Sequence, residues 1–179
     1  MVENIFLEDL PKITFEEYMK FNADCRENMG EMLPLSVYRL LEYSIREELY
    51  DRFGKDTQIE IFRKAGYRSG CYFANHMLNL QLPMNEFVAE LQNRMVEMKI
   101  GVLRLERLDE QSGKMILTVA EDADCSGLPI LGETVCNYDE GFIAGILSTY
   151  TGKPYVAVEV DCWATGERVC RFCAEVKPE

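Results

Sequence analysis

The sequence has little of what most enzymes use for acid–base or nucleotide chemistry. Among its 179 residues there is one histidine, His76, so a serine–histidine–aspartate triad would have to include that residue. The chain also lacks a glycine-rich phosphate-binding loop and a dinucleotide-binding fingerprint. Because these signatures are missing, we expect a protein that binds a ligand rather than one that catalyses a reaction.

Basic residues and long apolar runs are scarce as well. The 19 lysines and arginines face 31 acidic residues, which leaves a net charge of −12 and disfavours non-specific binding to nucleic acid or anionic membrane. No apolar run approaches the ~20 residues that span a bilayer, and the acidic N-terminus does not resemble a signal peptide. We therefore expect a cytoplasmic protein without a nucleic-acid or membrane partner.

Seven cysteines stand out against these absences. In a chain without an export signal they indicate a reducing compartment, where clustered cysteines are more often metal ligands or redox groups than disulfides. The spacing Cys136-x22-Glu159-x2-Cys162-x7-Cys170 brings three thiols and a carboxylate into the last quarter of the chain. That set suits a tetrahedral zinc ion, and four protein ligands leave no position open for water. The sequence therefore predicts a structural zinc site.

The local pattern indicates how these ligands would meet. With a turn at Gly166, Cys162 and Cys170 are opposed across a hairpin, with Cβ atoms roughly 4.5–5.5 Å apart. Glu159 lies an odd number of residues before Cys162, so a regular strand would direct the two side chains to opposite faces. A bulge or an early end of the strand is then required. Cys125, in the preceding loop, is the alternative fourth ligand and would complete a set of four thiolates.

The chain is predicted to consist of an N-terminal helical extension, residues 1–31, and a main domain, residues 32–176. Thr14 and Glu17 have the spacing of a capping box. That box predicts a helix over about residues 15–29 within the extension.

The main domain opens with helical periodicity. Ser36 is expected to cap its first helix, which has a broad apolar face. In the second helix Gly66 and Gly70 share one face, where they would let another backbone or a ligand come close. A third helix after Pro83 has an apolar stripe that ends at Met98.

From residue 102 onwards the apolar residues alternate at period two, which predicts strands and hairpins. The predicted elements are strands 102–108 and 115–119, a helix of about 138–150 capped by Asn137 with Glu140, and strands 156–160 and 169–176. This order of elements predicts an α+β domain, with an antiparallel sheet of two hairpins and a helical layer on one face.

Two segments of the C-terminal half resemble the 4-vinyl reductase domain family. They are Cys136-Asn-Tyr-Asp-Glu-Gly-Phe-Ile-Ala-Gly and Val-Glu159-Val-Asp-Cys162-x3-Gly166-x3-Cys170-x-Phe172. The resemblance covers about residues 32–176. It implies the fold shared by phenol-sensor domains, haem-based nitric-oxide sensors and transport-particle subunits. It also implies a homodimer, and a structural zinc ion held by three cysteines and a glutamate at the same four positions.

The resemblance raises two further chemical candidates. His76 could be a haem ligand only by analogy with the nitric-oxide sensors, and analogy of fold does not transfer a site. We therefore expect neither haem nor a tetrapyrrole. Cys173 forms a Cys-x2-Cys run with Cys170, but the two would point to opposite faces of a strand, so we interpret Cys173 as a core or surface thiol.

Several apolar residues on inward faces either form an ordinary core or line a cavity for a small apolar or aromatic ligand. They are Phe73, Met77, Phe87, Leu91, Met115, Leu117 and Phe142. Our first hypothesis is a zinc-stabilised binding or sensor domain for such a ligand, without catalysis. The alternatives are a reductase or accessory protein for a vinyl-bearing tetrapyrrole, and a dimeric interaction scaffold, which a filled core would favour.

Overall fold

The computed structural model describes residues 12–20, 30 and 32–177, and the chain divides into two units after Met32. In the first unit, helix α1 spans Phe15–Tyr18. The predicted capping box is present, because the Thr14 hydroxyl accepts from the Glu17 N–H and the Glu17 carboxylate accepts from the Thr14 N–H. The predicted continuation of this helix is wrong for residues 19–20, and residues 21–29 lie outside the described residues. The domain limits 1–31 and 32–176 stay a prediction.

The second unit combines four helices with one sheet, so the predicted α+β class is confirmed. The helices are α2 (Leu35–Phe53), α3 (Lys55–Met77), α4 (Met84–Glu97) and α5 (Asn137–Thr151), and the strands are β1 (Val102–Asp109), β2 (Lys114–Ala120), β3 (Tyr155–Asp161) and β4 (Cys170–Val176). The strand order is β1-β2-β4-β3 and every neighbouring pair is antiparallel. The two predicted hairpins, β1–β2 and β3–β4, are therefore joined edge to edge through β2 and β4. Helix α4 packs against β1, and α5 packs against β3 and β4.

The predicted caps of two helices are wrong. Helix α2 begins directly after Pro34, whose φ of −59° and ψ of 140° lie outside the helical region, so Ser36 lies within the first turn. The N-cap of α5 is Cys136 rather than Asn137. Asn137 is already helical, and its side-chain amide donates to a Glu140 carboxylate oxygen at 3.4 Å instead of capping the helix.

Helices α3 and α5 cross at unusually close range. A Cβ placed at Gly66 or Gly70 would lie 2.0 or 2.1 Å from a backbone carbonyl oxygen of α5. In the reverse direction, a Cβ at Gly141 or Gly145 would lie 2.0 or 2.3 Å from a carbonyl oxygen of α3. Each helix thus supplies two glycines to the contact. The predicted close approach of another backbone to Gly66 and Gly70 is confirmed, and it fixes α5, whose N-terminus carries Cys136.

The stripe predicted on α4 is buried at Phe87, Leu91 and Met95. Met98 is 42% exposed because α4 ends at Glu97, which makes the prediction wrong at that position. The buried residues of α3, α4, α5 and the sheet form one hydrophobic cluster.

Helix α2 carries its apolar face outwards. Val37, Leu40, Leu41 and Ile45 are between 43% and 73% exposed, whereas the only buried residue of this helix is Glu42. The apolar periodicity of α2 is therefore real, but the polar side of the helix faces the rest of the domain.

Candidate metal centre

Four thiols converge at one point beside the sheet. Cys125 lies in the loop after β2, Cys136 caps α5, Cys162 follows β3 and Cys170 begins β4. All four residues are no more than 1% exposed. The Sγ atom of Cys170 lies 3.1 Å from that of Cys125 and 3.7 Å from that of Cys136. The Sγ atom of Cys162 lies 3.8 Å from that of Cys136 and 4.0 Å from that of Cys125, and all six separations are within 4.8 Å.

These separations match the edges of a metal–thiolate tetrahedron. Four sulfurs at the zinc–sulfur distance of roughly 2.3 Å are about 3.8 Å apart, and the observed separations scatter around that value. The four residues are free thiols. A buried set of four soft sulfur donors is compatible with a metal site and suits zinc or another thiophilic ion far better than magnesium or calcium.

The thiols also influence one another's protonation when no metal is bound. Hydrogen bonds from the other thiols, first that of Cys125, lower the pKa of Cys162. The same contacts raise the pKa of Cys136. One thiolate shared among thiol donors is a starting point for metal capture, because a metal binds the thiolate and displaces the remaining protons.

Glu159 lies beside the four thiols rather than among them. Its Oε2 accepts a hydrogen bond from the Cys136 backbone N–H at 3.1 Å, while Oε1 has no hydrogen-bond partner among the described residues. Burial is the main reason that the pKa of Glu159 rises to about 8, followed by the charge of Cys162. Of the two candidates for the fourth ligand, the structure places Cys125 within the sulfur cluster.

An irregularity at the end of β3 directs Glu159 and Cys162 to the same side. The pairing register with β4 shifts between Glu159 and Asp161, and β3 ends at Asp161, before Cys162. Both kinds of irregularity that the odd spacing requires are therefore present. The chain then makes a short 3-10 turn, and Gly166 follows it with φ +101°, so the expected turn glycine lies in this connection.

A buried ion pair ties α5 to β3 near this corner. Glu140 is 2% exposed, and its Oε1 accepts a hydrogen bond from the Glu159 backbone N–H at 2.9 Å. The Arg63 guanidinium of α3 binds the same carboxylate through both oxygens. The pair aligns the two elements that carry Cys136 and Glu159.

A layer of buried acidic residues separates the thiols from α2, and the sequence reasoning missed it. Glu42, Asp122, Asp124 and Asp139 are all no more than 9% exposed. Burial first, and the neighbouring carboxylates second, raise the pKa of Asp124 and of Asp139. The Asp-x-Asp spacing directly before Cys125 is the signal in the sequence that could have identified this layer.

The polar side of α2 packs on this layer. The Tyr38 hydroxyl donates to Asp124 Oδ1 at 2.5 Å, and the Tyr43 hydroxyl donates to the Asp124 carbonyl oxygen at 2.9 Å. Arg39 donates to two carbonyl oxygens of the same loop at 2.8 Å each, and Arg46 binds Glu42. Helix α2 is therefore held by the loop that carries Cys125.

The residues predicted to line a ligand cavity lie in the hydrophobic core. Six of the seven are buried and Met77 is partly buried. Between α4, α5 and the sheet they leave a void of about 10 Å³, to which Leu91, Leu117 and Phe142 contribute. That volume is at the lower limit for one water molecule. A role for these seven residues in ligand binding stays a prediction.

Two larger concavities lie on the surface. One, of about 690 Å³, runs between α3, α5 and the edge strand β3, and includes Arg63, Glu140 and Val158. The other, of about 550 Å³, lies between α2, α3 and residues 131–135. Both have charged walls, so neither matches the apolar cavity expected from the sequence.

The two remaining chemical candidates lie away from the thiol cluster. Cys173 is partly buried on β4, where it pairs with Ile116 and Val158, and it is outside the group of four sulfurs. His76 is exposed, stacks on the Tyr72 ring at 4.0 Å, and places Nδ1 2.9 Å from the Tyr72 carbonyl oxygen. Among the described residues, no helix is both long and apolar enough to cross a membrane.

Comparison with known proteins extends the likeness over most of the chain. An uncharacterized protein of Methanocaldococcus jannaschii is 28% identical over 146 residues, which are 82% of this chain and 80% of that protein. At this level of identity the relative supports a common fold without indicating an activity.

Three solved structures share the fold. The phenol-responsive sensory domain of the transcription activator PoxR, solved with phenol, has a TM-score of 0.62 at 17% identity, over 84% of this chain and 78% of that one. A vinyl-4-reductase family protein from Methanocaldococcus jannaschii has a TM-score of 0.58 at 16% identity, over 84% and 85%. A trafficking protein particle complex subunit 3 from Naegleria fowleri, covalently bound to palmitic acid, has a TM-score of 0.65 at 10% identity, over 80% and 95%.

The family assignment rests on the C-terminal half. The family model of the 4-vinyl reductase domain matches residues 115–176, a segment that contains β2, α5, β3 and β4 and all four clustered cysteines. The resemblance to the 4-vinyl reductase family is thereby confirmed, and residues 115–176 of this chain form a 4-vinyl reductase domain.

Proposed function

We propose that this chain is a small-molecule binding or sensor domain, stabilised by a structural zinc ion and without catalytic activity of its own. The observation that carries the proposal is the buried cluster of four thiols at tetrahedral spacing within the segment that matches the 4-vinyl reductase domain. The free thiols of the described residues also support a reducing, cytoplasmic location.

We assign the zinc ligands as Cys125, Cys136, Cys162 and Cys170. Zinc would link the loop after β2, the start of α5 and the β3–β4 corner, and would contribute directly to folding stability. Glu159 would then act on the site through Cys136, because its carboxylate accepts the backbone N–H of that residue. A carboxylate in this position orients a ligand without binding the metal.

The assignment is tested by zinc content in matched cysteine variants. Cys125→Ser should lower the bound zinc well below one per chain, whereas Cys71→Ser and Cys173→Ser, which alter thiols outside the cluster, should retain it. Glu159→Gln should also retain most of the zinc. Full zinc in Cys125→Ser together with loss in Glu159→Gln would instead identify the carboxylate as the fourth ligand.

The proposed ligand is small and apolar or aromatic, and its proposed space is the interface between α4, α5 and the sheet. The void there is lined entirely by apolar side chains, which supports binding rather than catalysis, since no titratable group lines it. Its small volume requires flexible neighbours such as Met95 to move aside when a ligand enters. The PoxR domain solved with phenol has the same fold, which supports an aromatic compound as the first probe.

The ligand proposal is tested by calorimetric titration of the purified protein with phenol and with palmitic acid. We expect saturable binding of at least one of them, weakened at least tenfold by Leu117→Trp, which fills the void. The exposed substitution Leu40→Trp is the control and should leave binding unchanged. Failure of both compounds to bind, or equal binding in both variants, would contradict the proposed location.

A dimeric interaction scaffold is the second candidate, and two observations favour it. The core is almost filled, and α2 presents Val37, Leu40, Leu41 and Ile45 to the outside. We propose that this face joins two copies of the chain. Light scattering should give the mass of a dimer for the wild type and of a folded monomer for Leu40→Glu/Leu41→Glu, and a wild-type monomer at micromolar concentration would refute the proposal.

A further inference from the structure

A second group of ligand atoms lies next to the thiol cluster. One carboxylate oxygen each of Asp122 and Asp139 and the Sγ of Cys136 lie within 4.8 Å of one another, and all three residues are buried. Asp122 belongs to the loop after β2, and Asp139 is in the first turn of α5. Two separate elements therefore bring carboxylates to one point.

More negative charge surrounds this point than the neighbouring side chains balance. The charges of Asp122 and Asp139 act on each other, and those of Asp124 and Glu42 act on the same group. Arg39 donates its hydrogen bonds to two backbone carbonyl oxygens of the loop. Arg46 divides its own among Glu42, Asn137 and a carbonyl oxygen.

Three carboxylate oxygens of this layer are unpartnered. Asp122 Oδ2, Asp124 Oδ2 and Glu42 Oε2 are buried and have no hydrogen-bond partner among the described residues. Asp122 and Asp124 are each 3% exposed. Burying a carboxylate oxygen without a partner is costly, so the arrangement calls for a positively charged group that no described side chain supplies.

We propose that this acidic layer is a second cation site, in which Asp122 and Asp139 bind a hard divalent ion such as magnesium, calcium or manganese. Oxygen donors favour these ions. Asp124 and Glu42 contribute charge and further oxygens, while the Cys136 thiolate remains with the proposed zinc ion. Only this division of Cys136 rests on the proposed function.

The position of the site gives the cation a structural consequence. Asp124 and Glu42 are the groups through which α2 contacts the loop of Cys125. A cation between them and Asp139 would join α2, this loop and the start of α5. Its binding would therefore order the contact between α2 and the thiol-bearing loop.

Terbium luminescence tests the site in the zinc-loaded full chain. Terbium(III) is a hard, oxygen-seeking substitute for calcium, and its emission is excited through nearby tyrosines. The Tyr38 hydroxyl lies 2.5 Å from Asp124 Oδ1 and that of Tyr43 lies 2.9 Å from its carbonyl oxygen, so the protein has its own sensitisers. Asp122→Asn and Asp139→Asn remove the proposed ligands, and Asp51→Asn, at an exposed position of α2, is the matched control.

We expect one terbium ion per chain, displaced by calcium or manganese, with affinity reduced at least tenfold in Asp122→Asn and Asp139→Asn and unchanged in Asp51→Asn. Because loss of a buried carboxylate can unfold the domain, the wild type provides a second measurement. Millimolar calcium, magnesium or manganese should raise its melting temperature in proportion to the logarithm of concentration. No terbium emission, no shift with any of the three ions, or equal binding in all variants would overturn the proposal. Zinc content is measured separately, so its absence would refute the proposed zinc centre and leave this site standing.

Discussion

The crossing of α3 and α5 gives a sharp prediction for Gly66→Ala. The added Cβ would lie 2.0 Å from the Tyr138 carbonyl oxygen, and Cβ atoms essentially never approach another atom closer than 3.0 Å. The helices would have to separate by about 1 Å. Overpacking of this kind costs roughly 1–3 kcal/mol, and the higher figure applies because the obstructing atom belongs to a helical backbone. The gain in helix propensity from Gly to Ala returns about 1 kcal/mol.

We therefore expect Gly66→Ala to lower the free energy of unfolding by about 2 kcal/mol net, or the melting temperature by roughly 4–8 °C for a domain of this size. Urea unfolding followed by circular dichroism measures the first quantity. Gly152→Ala is the control, since a Cβ there meets nothing within 4 Å and only its φ of +69° is strained. It should cost about 1 kcal/mol. If Gly66→Ala were as stable as the wild type, the close crossing would not exist.

Three further predictions concern the surroundings of the thiols. Removing the metal with a strong chelator should lower the melting temperature and expose thiols to a titrating reagent, and an unchanged melting curve would exclude a structural metal. Arg63→Met leaves the buried Glu140 without its cation and should cost about 1–3 kcal/mol in urea unfolding, a range lowered because Arg63 is 46% exposed. Lys64→Met, which breaks the exposed pair with Glu60, should cost less than about 0.5 kcal/mol, and equal costs would refute the distinction. In the metal-free protein, burial raises the pKa of Glu159 from its ordinary 4.5 to about 8, so the stability contributed by the protonated carboxyl is complete below pH 4.5 and is lost as the pH rises towards 8. Glu159→Gln should flatten that decline between pH 5 and pH 8, and an identical slope in both proteins would contradict it.

The sequence predicts the secondary structure of the main domain well because its patterns are local. Alternation at period two identifies both hairpins, and helical spacing identifies α2 to α5. The errors at Ser36 and Asn137 have one cause: a residue one or two positions earlier, Pro34 or Cys136, already ends the preceding extended segment. Caps depend on backbone geometry, which a residue type alone does not specify.

The direction of an apolar face depends on neighbours that are distant in the chain. The apolar spacing of α2 gives no sign that its polar side is the one that packs, because the partners Asp122 and Asp124 lie about 80 residues further on. The same reason applies to Cys125, whose loop has no periodicity that would place it next to Cys170. The spacing of Glu159 and Cys162, in contrast, indicates an irregular strand from parity alone, and the register shift of β3 agrees with it.

That register shift also makes the corner tolerant of a change in chain length. The bulge accommodates one residue between Glu159 and Asp161 that has no opposite number on β4. A chain lacking Val160 would pair regularly along the whole hairpin, and Cys162 would still face inwards beside Cys170. Within this fold, Glu-x-Cys and Glu-x2-Cys are therefore equivalent forms of one corner, and an insertion or deletion at this point is a neutral route between them.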